Sequence, residues 1–71
     1  MDKETKIVLA VRDEKALYLF KREFDGFTTV EFVVGWIIGN PAIGDYVDGW
    51  SNGQYFRTLE EALGYLKNTK Y

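Results

Sequence analysis

The sequence contains neither cysteine nor histidine. Without thiols there is no disulfide, and without thiolate or imidazole ligands the usual zinc and haem sites are excluded. The Ser-His and Cys-His arrangements of nucleophilic catalysis lose their base or their nucleophile as well. Long apolar runs are missing too. The longest, from Phe32 to Ile38, has seven residues including Gly35, against the roughly 20 that a membrane-spanning helix needs. The opening Met1-Asp2-Lys3-Glu4-Thr5-Lys6 alternates in charge and has no apolar stretch of the kind a secretory signal requires. A cytoplasmic protein without membrane association is expected. Nor is there a basic cluster. Nine basic residues are scattered among eleven acidic ones, for a net charge of −2. Phosphate contacts dominate the affinity of nucleic-acid binders, so this balance counts against that class.

What is present is apolar and aromatic. The 71 residues are 46% hydrophobic and 17% aromatic, which suits one small domain over residues 1–71 with a dense core. A chain of this size buries only about 60% of its unfolded surface. Dimerisation is therefore a further route to stability and remains open.

Residues 5–12 are rich in β-branched and aliphatic types and end at Asp13-Glu14-Lys15, which reads as a strand followed by a three-residue turn. Residues 16–24 alternate strictly. Asp25-Gly26 is a hairpin signal, because a type I′ turn needs positive φ at both central positions. A third strand then runs over 27–38. This register places Phe24 opposite Phe27, Leu19 opposite Phe32 and Leu17 opposite Val34, with paired residues sharing a face. One face gathers Leu17, Leu19, Val30, Phe32, Val34, Trp36 and Ile38, and a three-residue first turn adds Ile7, Leu9 and Val11. The other carries Val8, Ala10, Arg12, Tyr18, Phe20, Arg22, Phe24, Phe27, Thr29, Glu31 and Val33.

Gly39-Asn40-Pro41 ends the third strand. A short fourth strand is expected over 43–50, a tight turn at Asn52-Gly53 and a brief fifth strand over 54–57. Thr58-Leu59-Glu60-Glu61 forms a capping box, starting a helix over 59–68. Leu59, Ala62, Leu63 and Leu66 make its apolar stripe, while Lys67 and Lys70 suit the negative end of its dipole. The fold expected is α+β: an antiparallel sheet of four to five strands, open or curled into a partly closed barrel, with one C-terminal helix on the face of Leu17 and Val34.

Catalysis here would rest on carboxylates alone. Asp45 and Asp48, with Asn52 and nearby glycines, are the only pair worth considering as acids or as ligands of a hard cation. Counted as a calcium loop from Asp48, position three is Trp50 and position twelve is Leu59, so two oxygen ligands are missing. These residues are read as serving turns. No glycine-rich phosphate cradle is present. A non-enzymatic chain without metal or cofactor is expected.

The candidate contact residues are Tyr18, Phe20, Tyr46 and Trp50, with Asp45 and Asp48 beside them. Tyrosine and tryptophan dominate interface hot spots, and the two carboxylates repel phosphate while suiting a basic protein groove. Tyr18, Phe20, Phe24 and Phe27 with Arg12 and Arg22 also suggest stacking on unpaired bases, so a nucleic-acid-binding sheet is the alternative.

Two resemblances bear on these readings. Ala42-Ile43-Gly44-Asp45-Tyr46-Val47-Asp48-Gly49 looks like the G-D-x-V-x-G turn and strand of SH3-like and OB-like barrels. The run from Tyr55 to Leu66, an aromatic pair and threonine leading into L-E-E-A-L, resembles the strand-to-helix ending of small phage and prophage proteins. It also resembles the arm-binding domain of tyrosine integrases, which lays a sheet in the DNA major groove. The phage-type resemblance implies a stoichiometric inhibitor of a host or defence protein, of the anti-CRISPR kind.

Overall fold

A computed structural model describes residues 3–68. Met1, Asp2 and Lys70, to which the sequence assigns roles at the two ends, lie outside them. Four strands, β1 (Lys3–Arg12), β2 (Lys15–Phe24), β3 (Phe27–Trp36) and β4 (Ser51–Phe56), precede a helix α1 (Leu59–Asn68). The strands form an antiparallel sheet in the order β1-β2-β3-β4. It stays open rather than closing into a barrel.

The β2–β3 hairpin has the register that its turn dictates: Phe24 opposite Phe27, Leu19 opposite Phe32 and Leu17 opposite Val34. Only Gly26 of the two turn residues takes positive φ, at 76°. The first hairpin differs from expectation. Its loop is two residues, Asp13-Glu14, with Lys15 already paired to Arg12 and Asp13 at a φ of 55°. The register shifts between Val8 and Ala10, so Leu9 is an inserted residue. A bulge changes which face the rest of the strand presents. Ile7 still lies beside Leu19, but Ala10 now pairs with Leu17 and Arg12 with Lys15, on the helix face. Val11, opposite Ala16, moves to the other. The Arg12 guanidinium donates to the Leu66 carbonyl at 3.1 Å, where a cation suits the helix C-terminus.

The expected fourth strand over 43–50 does not form. That segment makes a single bridge, Ile7 to Tyr46, because positive φ at Gly39 and Gly44 bends the chain and Pro41 offers no donor. It follows the outer edge of β1: the Gly44 amide donates to the Val8 carbonyl at 2.7 Å, the Val8 amide to Asp45 at 3.0 Å, and the Val47 amide to Lys6 at 2.9 Å. Asn52-Gly53 is likewise not a turn. It lies inside β4 as a bulge, with Asn52 at a φ of 53° and a register shift opposite Val34 and Trp36. The strand expected over 54–57 therefore begins earlier, at Ser51. The third strand stops at Trp36, and the Ile37 amide donates instead to the Glu14 carbonyl at 2.8 Å.

Both faces of β2 are consequently buried. On one, Leu17 and Val34 pack against Ala62 and Leu66 of α1, with Leu9, Ala10, Phe32, Phe56 and Leu63 around them. On the other, Val8, Ala16, Tyr18 and Val33 are covered by Ile37, Val47 and Trp50. The connection between β3 and β4 thus does for one face what the helix does for the other.

The helix starts as its residues specify. The Glu61 amide donates to Thr58 Oγ1 at 3.2 Å, and that hydroxyl donates to the Glu61 carboxylate at 3.0 Å. The return bond thus joins side chain to side chain rather than reaching the threonine amide. Leu59 is exposed, so the buried stripe is Ala62 and Leu66 with Leu63 at its margin. Nothing lies within 4 Å of where a Gly64 Cβ would stand. Gly64→Ala should therefore raise stability by about 1 kcal/mol, read as a higher urea midpoint with an unchanged slope. Among the described residues, no helix is long and apolar enough to cross a membrane.

Candidate functional site

The aromatic residues singled out by sequence fall into two groups. Tyr18, Phe20 and Trp50 form one packed unit. The Trp50 ring stacks on Tyr18 at 4.8 Å between centroids and 27° between planes, and meets Phe20 edge-on at 5.5 Å and 78°. Tyr55 closes its outer side at 6.3 Å. The ammonium of Lys6 lies 5.8 Å from the Trp50 ring and 5.6 Å from Phe20, and donates to the Asp48 carbonyl at 2.9 Å.

Two glycines make room for this tryptophan. A Cβ on Gly35 would stand 3.0 Å from the indole Cδ1. One on Gly53 would stand 2.5 Å from Nε1 and 2.9 Å from a Val33 methyl. Trp50 therefore sits in a slot cut between β3 and the bulge of β4.

Tyr18 was expected on a half-exposed face, yet it is fully buried beneath Trp50 and offers a partner no surface in this conformation. Its hydroxyl has no hydrogen-bond partner among the described residues, and burial pushes its pKa above the ordinary tyrosine value. Phe20 and Trp50 are half-buried. Further along the same face Arg22 lies 5.3 Å from the Phe20 ring and 5.6 Å from Phe24, with its guanidinium 3.9 Å from the Glu31 carboxylate. Arg12, expected here, is on the opposite face because of the bulge at Leu9.

The second group lies on the connection. Tyr46 is 76% exposed, Ile43 67% and Ile38 63%. A shallow groove runs between Ile38, Pro41, Asp45, Tyr46, Val47 and Asp48. Val47 points into the core, and Tyr46, its neighbour, points out. Asp45 has the turn role expected of it: one carboxylate oxygen accepts the Ala42 amide at 2.8 Å, while the Asp45 amide donates to the Ala42 carbonyl at 3.0 Å. Asp48 is exposed close by. Among the described residues, no group of three acidic side chains is placed to hold a metal ion.

Of the six candidates, Asp45, Tyr46 and Asp48 are thus brought together at the surface, while half-buried Phe20 and Trp50 pack with fully buried Tyr18 in a separate cluster. Compared with family models, curated proteins and solved structures, the chain finds no match. Its own geometry carries the functional argument.

Ile38 and Ile43, which the sequence pattern places in strands, lie at the surface. The available signal was their position on either side of Gly39-Asn40-Pro41, where a continuous ladder cannot form. Apolar residues outside a ladder have no sheet to bury them. The segment presents two exposed aliphatic side chains, a phenol and two carboxylates on a backbone bonded to β1.

Proposed function

We propose that this protein is a non-enzymatic protein-binding module, and that residues 38–48 form its contact surface. The observation that carries this reading is the exposure of Ile38, Ile43 and Tyr46 on a segment tied to β1 by three backbone hydrogen bonds. An exposed apolar patch rimmed by polar groups is a common mark of an interaction site. Because the segment is already fixed, little ordering entropy is lost when a partner arrives.

Asp45 and Asp48 set the sign of that partner. They favour a surface combining apolar and basic groups, and oppose a phosphate backbone. The phage-type ending from Tyr55 to Leu66 supports the narrower reading of a cytoplasmic inhibitor of a host or defence protein. In that role the acidic patch occupies a basic groove that otherwise holds nucleic acid. The alternative, a nucleic-acid-binding sheet, draws on exposed Phe24 and Phe27, the first of them against Arg22.

The test is affinity capture from the cell in which the protein acts, with and without nuclease, followed by titration of the captured protein. Tyr46→Ala should weaken binding by about 2 kcal/mol, roughly 30-fold in Kd, with an unchanged melting temperature. Capture that vanishes with nuclease, together with affinity for single strands that falls steeply with salt, would favour the nucleic-acid reading.

A further inference from the structure

The two outer edges of the sheet are treated differently. Along β1, the outward-facing groups of Lys6 and Val8 are occupied by residues 44–47, and the free end beyond them carries Lys3 and Glu4. Charged residues of this kind discourage a further strand. On the opposite edge β4 ends at Phe56, opposite Phe32. β3 therefore continues past it for five residues, Phe27 to Glu31.

The direction of the backbone groups along this stretch follows from the hairpin. Phe24 and Phe27 flank a two-residue turn and form a hydrogen-bonded pair, and such pairs alternate along the ladder. Thr29 and Glu31 thus face β2 with their backbone groups. Thr28 and Val30 face outward, in phase with Phe32 and Val34, which pair with β4. The open run Thr28-Thr29-Val30, whose outward backbone groups belong to Thr28 and Val30, is β-branched throughout and has neither charge nor proline. The usual protections of an edge are absent from it.

We infer that this edge is an interface for a second copy of the chain, paired antiparallel about a two-fold axis through Thr29. The segment is self-complementary. With Thr29 opposite its own counterpart, Thr28 falls opposite Val30 of the second copy, and the two outward pairs exchange four backbone hydrogen bonds. The open stretch is bounded by the Asp25-Gly26 turn at one end and the last residue of β4 at the other. A strand of the same five residues fills it, and the turn of each copy then abuts the end of β4 in the other. Phe27, 71% exposed in the single chain, comes to lie opposite Glu31 of the second copy.

The axis stands perpendicular to the sheet, so both copies turn the same face to the same side. The two 38–48 segments are then presented together, and a partner with repeated sites would be held bivalently. The pairing itself does not depend on the function proposed for that segment.

The absence of cysteine makes the test direct. Facing residues of a non-hydrogen-bonded pair have Cα atoms about 4.5 Å apart, inside the range a disulfide spans. Thr29→Cys should therefore form a covalent dimer under mild oxidation at least about tenfold faster than Thr28→Cys, whose counterpart is displaced along the strand. Sedimentation of the parent between about 10 μM and about 1 mM should show a reversible dimer, as suits a small interface. Val30→Pro removes one outward donor without touching the β2 ladder and should shift that equilibrium toward monomer by about tenfold or more. Val30→Lys, which keeps the backbone intact, should do the same through charge at the edge. A parent that remains monomeric up to about 1 mM, or equal cross-linking at positions 28 and 29, would overturn the inference.

Discussion

Leu66→Asp is expected to leave the chain without a cooperative fold. Leu66 is among the buried residues that join α1 to the sheet, in contact with the cluster of Leu17, Val34 and Ala62. Deleting its side chain in Leu66→Ala should cost about 2–5 kcal/mol through lost burial and the cavity left behind. A carboxylate at the same place adds the cost of burying a charge with no partner. A domain of this size has a total stability of only about 4–10 kcal/mol. The helix is too short to persist without the sheet, since isolated helices below about 12–15 residues are marginal in water. Circular dichroism should show loss of helix together with loss of the melting transition. Leu63→Asp should be milder, because Leu63 lies at the margin of the cluster and its charge retains access to water. Parent-like melting of Leu66→Asp would mean that the helix does not dock through this stripe.

The helix and the central hairpin were legible because independent local signals agreed. Thr58 and Glu61 mark a start, the leucine stripe marks a face, and both point to the same ten residues. Asp25-Gly26 sets a register that the alternation of residues 16–24 then supports. The first hairpin was not legible in the same way. A bulge at Leu9 has no distinctive residue, since leucine and alanine fit the pleat in either phase. A single inserted position was enough to exchange Ala10 and Arg12 with Val11 between the faces. Asn52-Gly53 shows the complementary difficulty, because one preference for positive φ serves both a hairpin turn and a bulge. The candidate site divides along the same line. Asp45, Tyr46 and Asp48 were placed on the surface by turn chemistry acting over a few residues. The burial of Tyr18 depends on Trp50 crossing back over the sheet, a contact between residues 32 positions apart in the chain.

That crossing also answers how a sheet with one short helix protects two apolar faces. The helix occupies one face, and the 14 residues between β3 and β4 occupy the other without forming a strand of their own. The cost of ordering so long a connection is offset by its backbone bonds to β1 and by the apolar area of Ile37, Val47 and Trp50 that it buries. Gly39 and Gly44 take positive φ within it, and Ile38, Ile43 and Tyr46 beside them stay exposed. The exposed patch is in this sense a consequence of the way the second face is covered.

Trp50→Ala should accordingly destabilise the fold by about 3 kcal/mol, lowering the melting temperature by more than about 10 °C. The ring is in contact with Tyr18, Phe20 and Tyr55 at once, and aromatic pairs of this geometry contribute beyond their area. Removing it opens the slot between Gly35 and Gly53, leaves a cavity over the Tyr18 ring and takes away the ring beside which Lys6 lies. The connection is also weakened at the point where it rejoins the sheet. An outwardly directed contact residue would behave otherwise: its truncation would weaken partner binding and leave the melting temperature unchanged, as is expected of Tyr46→Ala. Gly53→Ala supplies an independent check, because a methyl group 2.5 Å from the indole nitrogen must displace the ring while leaving Trp50 itself in place. That variant should lose about 1–3 kcal/mol, with a shift in tryptophan fluorescence as the ring leaves Tyr18. Parent-like melting of both variants would show that Trp50 does not hold the second face closed.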